Sequence, residues 1–307
     1  MSDAADLSRP DPLIEEDVHL LQSRAVLRCG TEWIGSLQSS FTSSLDRLDQ
    51  RCVFALNLDE RMDVVADVFL VRFENDVLID CDGEDLAALT HQLTSAGIGV
   101  QDVSNDWRVL AELPNQRFFE AGAPFVRVSD PRCRELGARI YRGASSREST
   151  AWRHEGLYRA HTYKLGIPPR VTLLQQLGVG LFEAHLHALG ALDAEHVPAK
   201  LADELRAASH PQRRVLPFRV EPTGHHLPDM DAAPLLADGS SVGIALVRQG
   251  LWGLGLVDLA PWREALAGRI SVVCEGEPVL ITWPTWIARE SEGRASPVAR
   301  KDREPTP

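Results

Sequence analysis

The chain has 307 residues, of which 44% are hydrophobic, and it carries a formal net charge of −12 at pH 7. This length predicts two domains, or one large domain with an appended barrel, and the hydrophobic content supports a full-sized buried core. The net negative charge argues against a protein that coats nucleic acid, because phosphate binding requires a cationic face. No apolar run approaches the roughly 18 residues needed to cross a bilayer, so no membrane partner is expected.

The two ends and the cysteines carry few structural signals. Residues 1–17 are polar and acidic without a leader pattern, and residues 289–307 are rich in charged residues, Pro and Ser, so both are predicted to be disordered tails. The five cysteines are scattered and form no Cys-x-x-Cys pair. Neither a disulfide framework nor a zinc or iron–sulfur cage is therefore indicated. These features predict a cytoplasmic protein with no metal site of its own.

Short strands and helices alternate through the first two thirds of the chain. The predicted strands are Arg24–Cys29, Val53–Leu58, Val64–Arg72, Val77–Cys81, Val100–Val103 and Trp107–Leu113. Apolar residues at helical spacing predict a helix over Trp33–Asp49, and further helices are predicted from Gly83 to Leu93 and over Ala199–Ala208. Strands that return in antiparallel fashion, with helices packed on one side, predict an α+β architecture rather than a doubly wound sheet.

After Pro211 the sequence predicts strands and no helix. The candidate strands are Arg213–Glu221, Ser241–Gln249, Leu254–Leu259, Ile270–Cys274 and Val279–Thr282. Short strands broken by Gly, Pro and Asp are typical of a small closed barrel or sandwich. The glycines of Gly250–Gly255 lie between two of these strands, so they predict a hairpin rather than a phosphate-binding loop.

Several motifs occur in the order that is found in one protein family. The matching segments are Leu37-Gln38, Asp67, Asp130-Pro131-Arg132, Leu136-Gly137-x-Arg139, Tyr158–Pro168, Leu181–Leu186, Arg213-Arg214 and Trp283-Pro284-x-Trp286. This order resembles the folate-binding YgfZ/IBA57-like proteins, which are relatives of the glycine-cleavage aminomethyltransferase, or T-protein. The collinearity of the motifs over nearly the whole chain carries the resemblance, since no single motif is decisive.

One hallmark of that family is erased. The family's Lys-Gly-Cys-Tyr-x-Gly-Gln-Glu reads Val197–Glu204 here, and Ala199 occupies the position of the cysteine. Thiol chemistry at this position is therefore excluded, because the thiolate is the nucleophile such chemistry requires.

The resemblance implies a fold and a division of the chain. It implies ferredoxin-like antiparallel α+β domains around a central cavity, which is the T-protein folate-binding fold, followed by a C-terminal β-barrel. The expected divisions are a tail over 1–17, a folate-binding α+β region over 18–210, a barrel over 211–288 and a tail over 289–307.

Asp67 is predicted to be the catalytic residue and to contact the cofactor. It lies among aliphatic residues of a predicted strand, where an acid is costly to bury unless it is paired or hydrogen-bonded. The resemblance implies that an Asp at this position faces the reactive nitrogens of a folate. Strand alternation also allows Asp67 to lie on a solvated face, and both interpretations stay open.

Four further residues are predicted to bind the cofactor. Arg159, His161 and Tyr163 alternate, so they line one cavity together if their segment is extended, although the same residues are compatible with a helix. An Arg suits the glutamate tail of a folate because its planar fork binds carboxylates, and a Tyr can stack on a pterin ring. Glu183 matches the Glu of the family's Pro-x-Glu-x-Asn-Leu motif, which is the basis for its inclusion.

The resemblance implies a protein that binds tetrahydrofolate, or a one-carbon derivative of it, as an accessory in the assembly or maintenance of iron–sulfur proteins. Iron–sulfur client or assembly proteins are then the expected protein partners. Two alternatives stay open. The chain is either a folate-dependent one-carbon transferase of the aminomethyltransferase kind, or a degenerate scaffold that binds no folate.

Overall fold

The computed structural model describes residues 18–46, 48–49, 52–116, 124–144, 152–207, 212–221 and 232–287. The predicted tails, 1–17 and 289–307, lie outside these ranges. In the part of the chain that is described, no helix is both long and apolar enough to span a membrane.

The described strands and helices follow one another in a mixed order. The strands are β1 (His19–Leu20), β2 (Arg24–Gly30), β3 (Val53–Leu58), β4 (Val64–Phe73), β5 (Asp76–Asp82), β6 (Gln101–Asp102), β7 (Trp107–Glu112), β8 (Phe125–Ser129), β9 (Ala138–Gly143), β10 (Arg213–Val220), β11 (Ala233–Ala237), β12 (Ser240–Gln249), β13 (Trp252–Asp258), β14 (Val272–Cys274) and β15 (Glu277–Ile281). The α-helices are α1 (Ile34–Ser40), α2 (Leu86–Ser95), α3 (Glu155–Lys164), α4 (Val171–Gln176), α5 (Ala199–Ala207) and α6 (Leu259–Ala267).

The first layer is a five-stranded antiparallel sheet in the order β3-β4-β5-β2-β6. Helices α1 and α2 cover one face, and Val68 and Leu70 of β4 belong to the core cluster beneath them. Phe69 belongs to the core on the opposite face. Because side chains alternate along a strand, Asp67 lies on the same face as Phe69. Both faces are buried, which explains the almost continuous apolar composition of β4.

The second layer is a four-stranded antiparallel sheet in the order β1-β7-β9-β8. Val109 and Tyr141 of this sheet share one buried core with Phe69 of the first sheet, so the two sheets face each other. Tyr163 of α3 and Leu174 of α4 belong to the same core. The predicted antiparallel α+β layers are therefore confirmed.

The C-terminal strands close into a barrel in the order β10-β13-β12-β11-β14-β15, which confirms the predicted barrel. Phe218 and Leu235 form the barrel's own core together with Trp262 of α6. Val215 and Leu256 belong instead to the central core between the two sheets. The barrel is thereby packed against the α+β layers.

The predicted helix over Trp33–Asp49 is wrong beyond α1. Just after α1 the Thr42 hydroxyl donates to the carbonyl oxygen of Ala191 at 2.6 Å, and the Ser43 hydroxyl donates to that of Phe54 at 2.9 Å. Hydrogen bonds from Ser and Thr side chains to the backbone compete with helix formation. Here they fasten the chain to β3 and to a distant loop.

The expectation that no helix follows Pro211 is also wrong, because α6 lies between β13 and β14. The sequence contains Pro261 at this point. Pro261 is the third residue of α6. A proline is tolerated in the first turn of a helix, where its missing N–H has no intrahelical partner anyway. The predicted hairpin at Gly250–Gly255 is confirmed, since β12 and β13 pair across it.

Candidate functional site

A cavity of about 480 Å³ lies beside α3, between the start of β2, the middle of β4 and the segment that leads into α4. Its volume falls within the range of pockets that bind small molecules. Its lining combines aromatic and apolar side chains with five arginines and three carboxylates.

Three arginines of this lining have buried side chains, and we call them the arginine floor: Arg24, Arg132 and Arg139. Their side chains are only 7%, 7% and 2% exposed. Asp80 Oδ1 accepts from Arg24 Nε, and Asp80 Oδ2 from Arg139 Nη2, each at 2.6 Å. Asp130 accepts two bonds from Arg132, at 3.0 Å and 2.8 Å. Five charged groups are therefore buried together, and each is hydrogen-bonded to a group of opposite charge.

The two aspartates of this cluster are ionised. Burial by itself raises the pKa of a carboxyl group, but Arg24 and Arg139 more than offset it at Asp80, so the pKa of Asp80 is lowered. Arg132 lowers the pKa of Asp130 in the same way. Burial of such charges is tolerated only when each one has a well-aligned partner.

The ring of Phe69 lies among the same three guanidinium groups. The centre of the ring is 5.4 Å from the guanidinium carbon of Arg24, 4.8 Å from that of Arg132 and 3.7 Å from that of Arg139. A guanidinium group within about 6 Å of an aromatic ring is attracted to its face. Phe69 therefore helps to hold the arginine floor in place at the bottom of the cavity.

Arg159 lies near the mouth of the cavity, with a side chain that is 41% exposed. Its Nη2 donates to Glu155 Oε1 at 3.0 Å. Glu155 also accepts from the backbone N–H of Ser23 at 3.0 Å and from the Ser23 hydroxyl at 2.6 Å. Burial raises the pKa of Glu155, but these hydrogen bonds outweigh it and the net pKa is lowered. A carboxylate thus fastens α3 to the segment before β2.

Tyr163 lines the cavity one helical turn beyond Arg159, whereas His161 does not line it. Burial raises the pKa of Tyr163 to about 12, so its hydroxyl stays protonated. The Nε2 of His161 lies 3.1 Å from the carbonyl oxygen of Glu135. The extended interpretation of this segment is wrong because it is helical. Residues four apart share a helix face and residues two apart do not.

Asp67 is buried beneath the cavity and is not part of its lining. Its Oδ1 accepts from the backbone N–H of Val171 at 2.8 Å, at the first residue of α4. Burial raises the pKa of Asp67, against the opposing effects of Arg24 and of this hydrogen bond. The side chain is therefore not on a solvated face, and it is hydrogen-bonded to the backbone of α4.

Glu183 lies away from the cavity, where the α+β region meets the barrel. Its Oε1 accepts from Arg213 Nε at 2.8 Å, and its Oε2 accepts from the backbone N–H of Gly180, also at 2.8 Å. Its backbone carbonyl accepts from the N–H of Val215 at 2.8 Å. Of the predicted site residues, the structure brings only Arg159 and Tyr163 together in the cavity wall.

The arginine floor and Asp80 are not among the site residues that the sequence predicts. Arg132 and Arg139 occur in the sequence only within the family-like motifs. Two sequence features could have indicated them, because Asp80 interrupts the apolar run of β5 and Arg139 is the second residue of the buried strand β9. A charged residue inside an apolar strand is costly unless it meets a partner, so two such strands predict an ion pair between them.

Neither thiols nor metal ligands form a site among the described residues. No group of three or more His, Cys, Asp or Glu side chains there is arranged to hold a metal ion. All five cysteines are buried and free. Burial raises the pKa of Cys29, Cys81 and Cys133 to about 12, which makes their thiols poor nucleophiles.

The fold and the cavity define a protein built on a T-protein-like scaffold. The chain is similar in structure to glycine cleavage system aminomethyltransferase T from Bartonella henselae, with a TM-score of 0.58 and 13% sequence identity. The similarity covers 87% of this chain and 84% of that chain. At this level of identity it establishes the fold only.

The barrel region matches the model of one protein family. Residues 212–289 match the family model described as CAF17, C-terminal beta-barrel domain. No curated protein matches the sequence of the chain. The barrel match and the T-protein-like fold together confirm the resemblance to the YgfZ/IBA57-like proteins that the motifs indicated.

Proposed function

We propose that this chain binds tetrahydrofolate, or a one-carbon derivative of it, and acts as an accessory protein in the assembly or maintenance of iron–sulfur proteins. The observation that supports folate as the ligand is the cavity of about 480 Å³, which has both aromatic and arginine side chains in its wall. A reduced folate combines a polar ring with a carboxylate tail, and such a wall suits both parts. In this proposal residues 18–210 form the ligand-binding region and residues 211–288 the barrel.

Two of the predicted residues would hold the ligand. Tyr163 offers a neutral phenol in the wall, and Arg159 offers a guanidinium near the mouth. Arg159 already pairs with Glu155, and the 41% exposure of its side chain leaves donors available to a carboxylate from solvent. A bound reduced folate would supply a carrier for a one-carbon unit. The chain's own residues would bind and orient it and exclude water from its ring.

The position of Asp67 favours the accessory role over the transferase alternative. A general acid or base must come within hydrogen-bond distance of the proton it moves. The Asp67 carboxylate instead accepts from Val171, below the cavity lining. In this proposal Asp67 is a positioning residue, because it holds the start of α4 directly after Pro168-Pro169-Arg170, which line the cavity.

The iron–sulfur part of the proposal rests on the resemblance to the YgfZ/IBA57-like proteins. The buried, separated cysteines of this chain are poorly suited to hold a cluster, so the cluster would belong to a client protein. Free thiols of this kind also suit a reducing compartment, and we propose the cytoplasm as the site of action.

The ligand is tested by titrating tetrahydrofolate while following the protein's intrinsic fluorescence. We expect saturable binding by the wild type. Tyr163→Leu and Arg159→Gln should each weaken tetrahydrofolate binding about tenfold. The first removes the aromatic ring, and the second removes the guanidinium group that would bind a carboxylate. Tyr163→Phe keeps the ring and should bind almost as the wild type does. Arg263→Gln, on the exposed side of α6, is the control for the loss of an arginine. Absence of wild-type binding would leave only the scaffold alternative.

The accessory role is tested in a deletion strain by the activities of iron–sulfur enzymes. We expect the wild-type gene to restore these activities and Arg159→Gln to restore them less well. Asp67→Asn should restore them as the wild type does, because its amide oxygen still accepts from Val171. If Asp67→Asn binds folate normally but the purified variant loses a one-carbon transfer activity that the wild type has, the transferase alternative is favoured instead.

A further inference from the structure

The arginine floor contains hydrogen-bond donors that the protein does not use. In each of its residues Nε and Nη2 donate to an aspartate or a tyrosine. For Nη1 of Arg24 and Arg132, the described residues provide no acceptor within hydrogen-bond distance. The Nη1 of Arg139 lies 3.6 Å from Asp130 Oδ2, which is too long for a hydrogen bond. All three residues line the cavity.

The cluster also has more guanidinium groups than carboxylates bonded to them. Three guanidinium groups face two ionised carboxylates, Asp80 and Asp130. Asp67 is the other buried acid that acts on Arg24 and Arg132, and its carboxylate is hydrogen-bonded to Val171 rather than to an arginine. Asp67 therefore occupies no hydrogen-bond donor of the arginine floor.

The carboxylates near the mouth of the cavity are engaged with other groups. Asp82 and Glu84 form ion pairs with Arg170, and Glu155 is bound to Ser23 and Arg159. None of these three carboxylates forms a hydrogen bond with the arginine floor. An anionic ligand that reaches the unused donors of the floor gains charge-assisted hydrogen bonds.

We propose that the arginine floor is a binding subsite for an oxyanion group, a carboxylate or a phosphate, at the bottom of the cavity. The Nη1 atoms of Arg24, Arg132 and Arg139 would donate to it, and their side chains are already held by Asp80, Asp130 and Phe69. The oxyanion is either a free small anion or a carboxylate of the folate itself. This proposal does not depend on folate being the ligand.

Calorimetric titration of the full chain with inorganic phosphate, at constant ionic strength in chloride, tests the subsite. We expect saturable binding at one site and its displacement by acetate. Arg132→Lys keeps the positive charge but removes the planar guanidinium group and its several N–H donors, so it should weaken phosphate binding about tenfold. Arg24→Lys is the second variant, in case Arg132→Lys does not fold. Arg213→Lys changes an arginine paired with Glu183 outside the cavity and should bind phosphate as the wild type does. Wild-type protein without phosphate binding, or equal binding by folded floor variants, would overturn the proposal.

A second titration separates the two sources of the oxyanion and separates this proposal from the folate proposal. Tetrahydrofolate is added with and without saturating phosphate. Competition would identify the folate's own carboxylate as the floor ligand, and binding of both together would identify a free anion. Phosphate binding without folate binding would support the subsite and defeat the proposed function. Folate binding by a protein that does not bind phosphate would do the reverse.

Discussion

Asp80 holds two arginines and a tyrosine in the interior of the protein. Its Oδ2 accepts from Arg139 Nη2 at 2.6 Å and from the Tyr141 hydroxyl at 2.9 Å, while its Oδ1 accepts from Arg24 Nε. A buried ionised carboxylate is stable only with partners of this quality. The position of the arginine floor therefore depends on the charge of this one residue.

Asp80→Asn should lower the free energy of unfolding by about 3–5 kcal/mol, because it leaves two buried guanidinium groups facing a neutral amide. Denaturant unfolding measures the change. Asp76→Asn, in the same strand, removes a carboxylate that is 37% exposed and lies 3.8 Å from Arg28. That control should change stability by less than about 0.5 kcal/mol. Equal effects of the two variants would show that the buried cluster is not held by charge.

At the scale of elements, helix α4 is fixed to its neighbours by two acids at its start. Asp67 of β4 accepts from the Val171 N–H, and Asp85, which precedes α2, accepts from the Thr172 hydroxyl at 3.1 Å. Acidic groups are favourable at a helix N-terminus because of its unpaired N–H groups. The six residues of α4 would make a weak helix in isolation, so these contacts decide where the segment lies.

The stability that the protein gains from burying Asp85 should fall as the pH rises. Burial, followed by the charge of Asp67, raises the pKa of Asp85 from 3.8 to about 6. The folded state therefore binds the Asp85 proton more tightly than the unfolded state. The stability from this group is fully present below about pH 4 and is lost as the pH rises through about 6. Since Asp85 is partly screened by solvent, we expect the loss to be about 1–2 kcal/mol.

Denaturant unfolding of Asp85→Asn and wild type, from about pH 4.5 to about pH 7.5, measures this loss. The variant should gain stability relative to the wild type as the pH rises. Glu60→Gln removes a carboxylate from an exposed turn and should follow the wild-type profile. Parallel profiles for wild type and Asp85→Asn would contradict the prediction.

At the scale of the whole molecule, hydrogen bonds and a shared core join the barrel to the α+β layers. The indole N–H of Trp286 donates to the carbonyl oxygen of Leu165 at 2.7 Å. The Nε2 of His185 lies 3.0 Å from the carbonyl oxygen of Val215, and burial lowers the pKa of His185 to about 3, so it is neutral. Barrel and layers also share the central core, so we expect them to unfold together.

Gly166 lies at this junction and has no room for a side chain. Its φ is +74°, and a Cβ atom there would lie 2.6 Å from Pro284 Cγ and 3.0 Å from Pro217 Cδ. Gly166→Ala should cost about 1–2 kcal/mol for the left-handed backbone and about 1–3 kcal/mol more for the clash. Gly97 has a similar φ of +79° with nothing within 4 Å, so Gly97→Ala should show only the backbone cost. Denaturant unfolding compares them, and equal costs would mean that the junction yields easily.

The strands, the barrel and the scaffold were predictable from local sequence. Alternating and continuous apolar runs located β2 to β5, and the short strands after Pro211 located the barrel. The order of the motifs indicated the T-protein-like scaffold, which the structural similarity confirms. Periodicity and turn residues act over a few positions, so one sequence contains enough information to predict them.

The cavity wall was decided only by the tertiary structure. Arg159 and Tyr163 share a face because their segment is a helix, and the same spacing was compatible with a strand. Arg24 and Arg139 are far apart in the chain and meet only because their two sheets face each other across Asp80. The energy of a buried charge depends on the partner that reaches it, and that partner is set by the packing of distant elements rather than by neighbours in sequence.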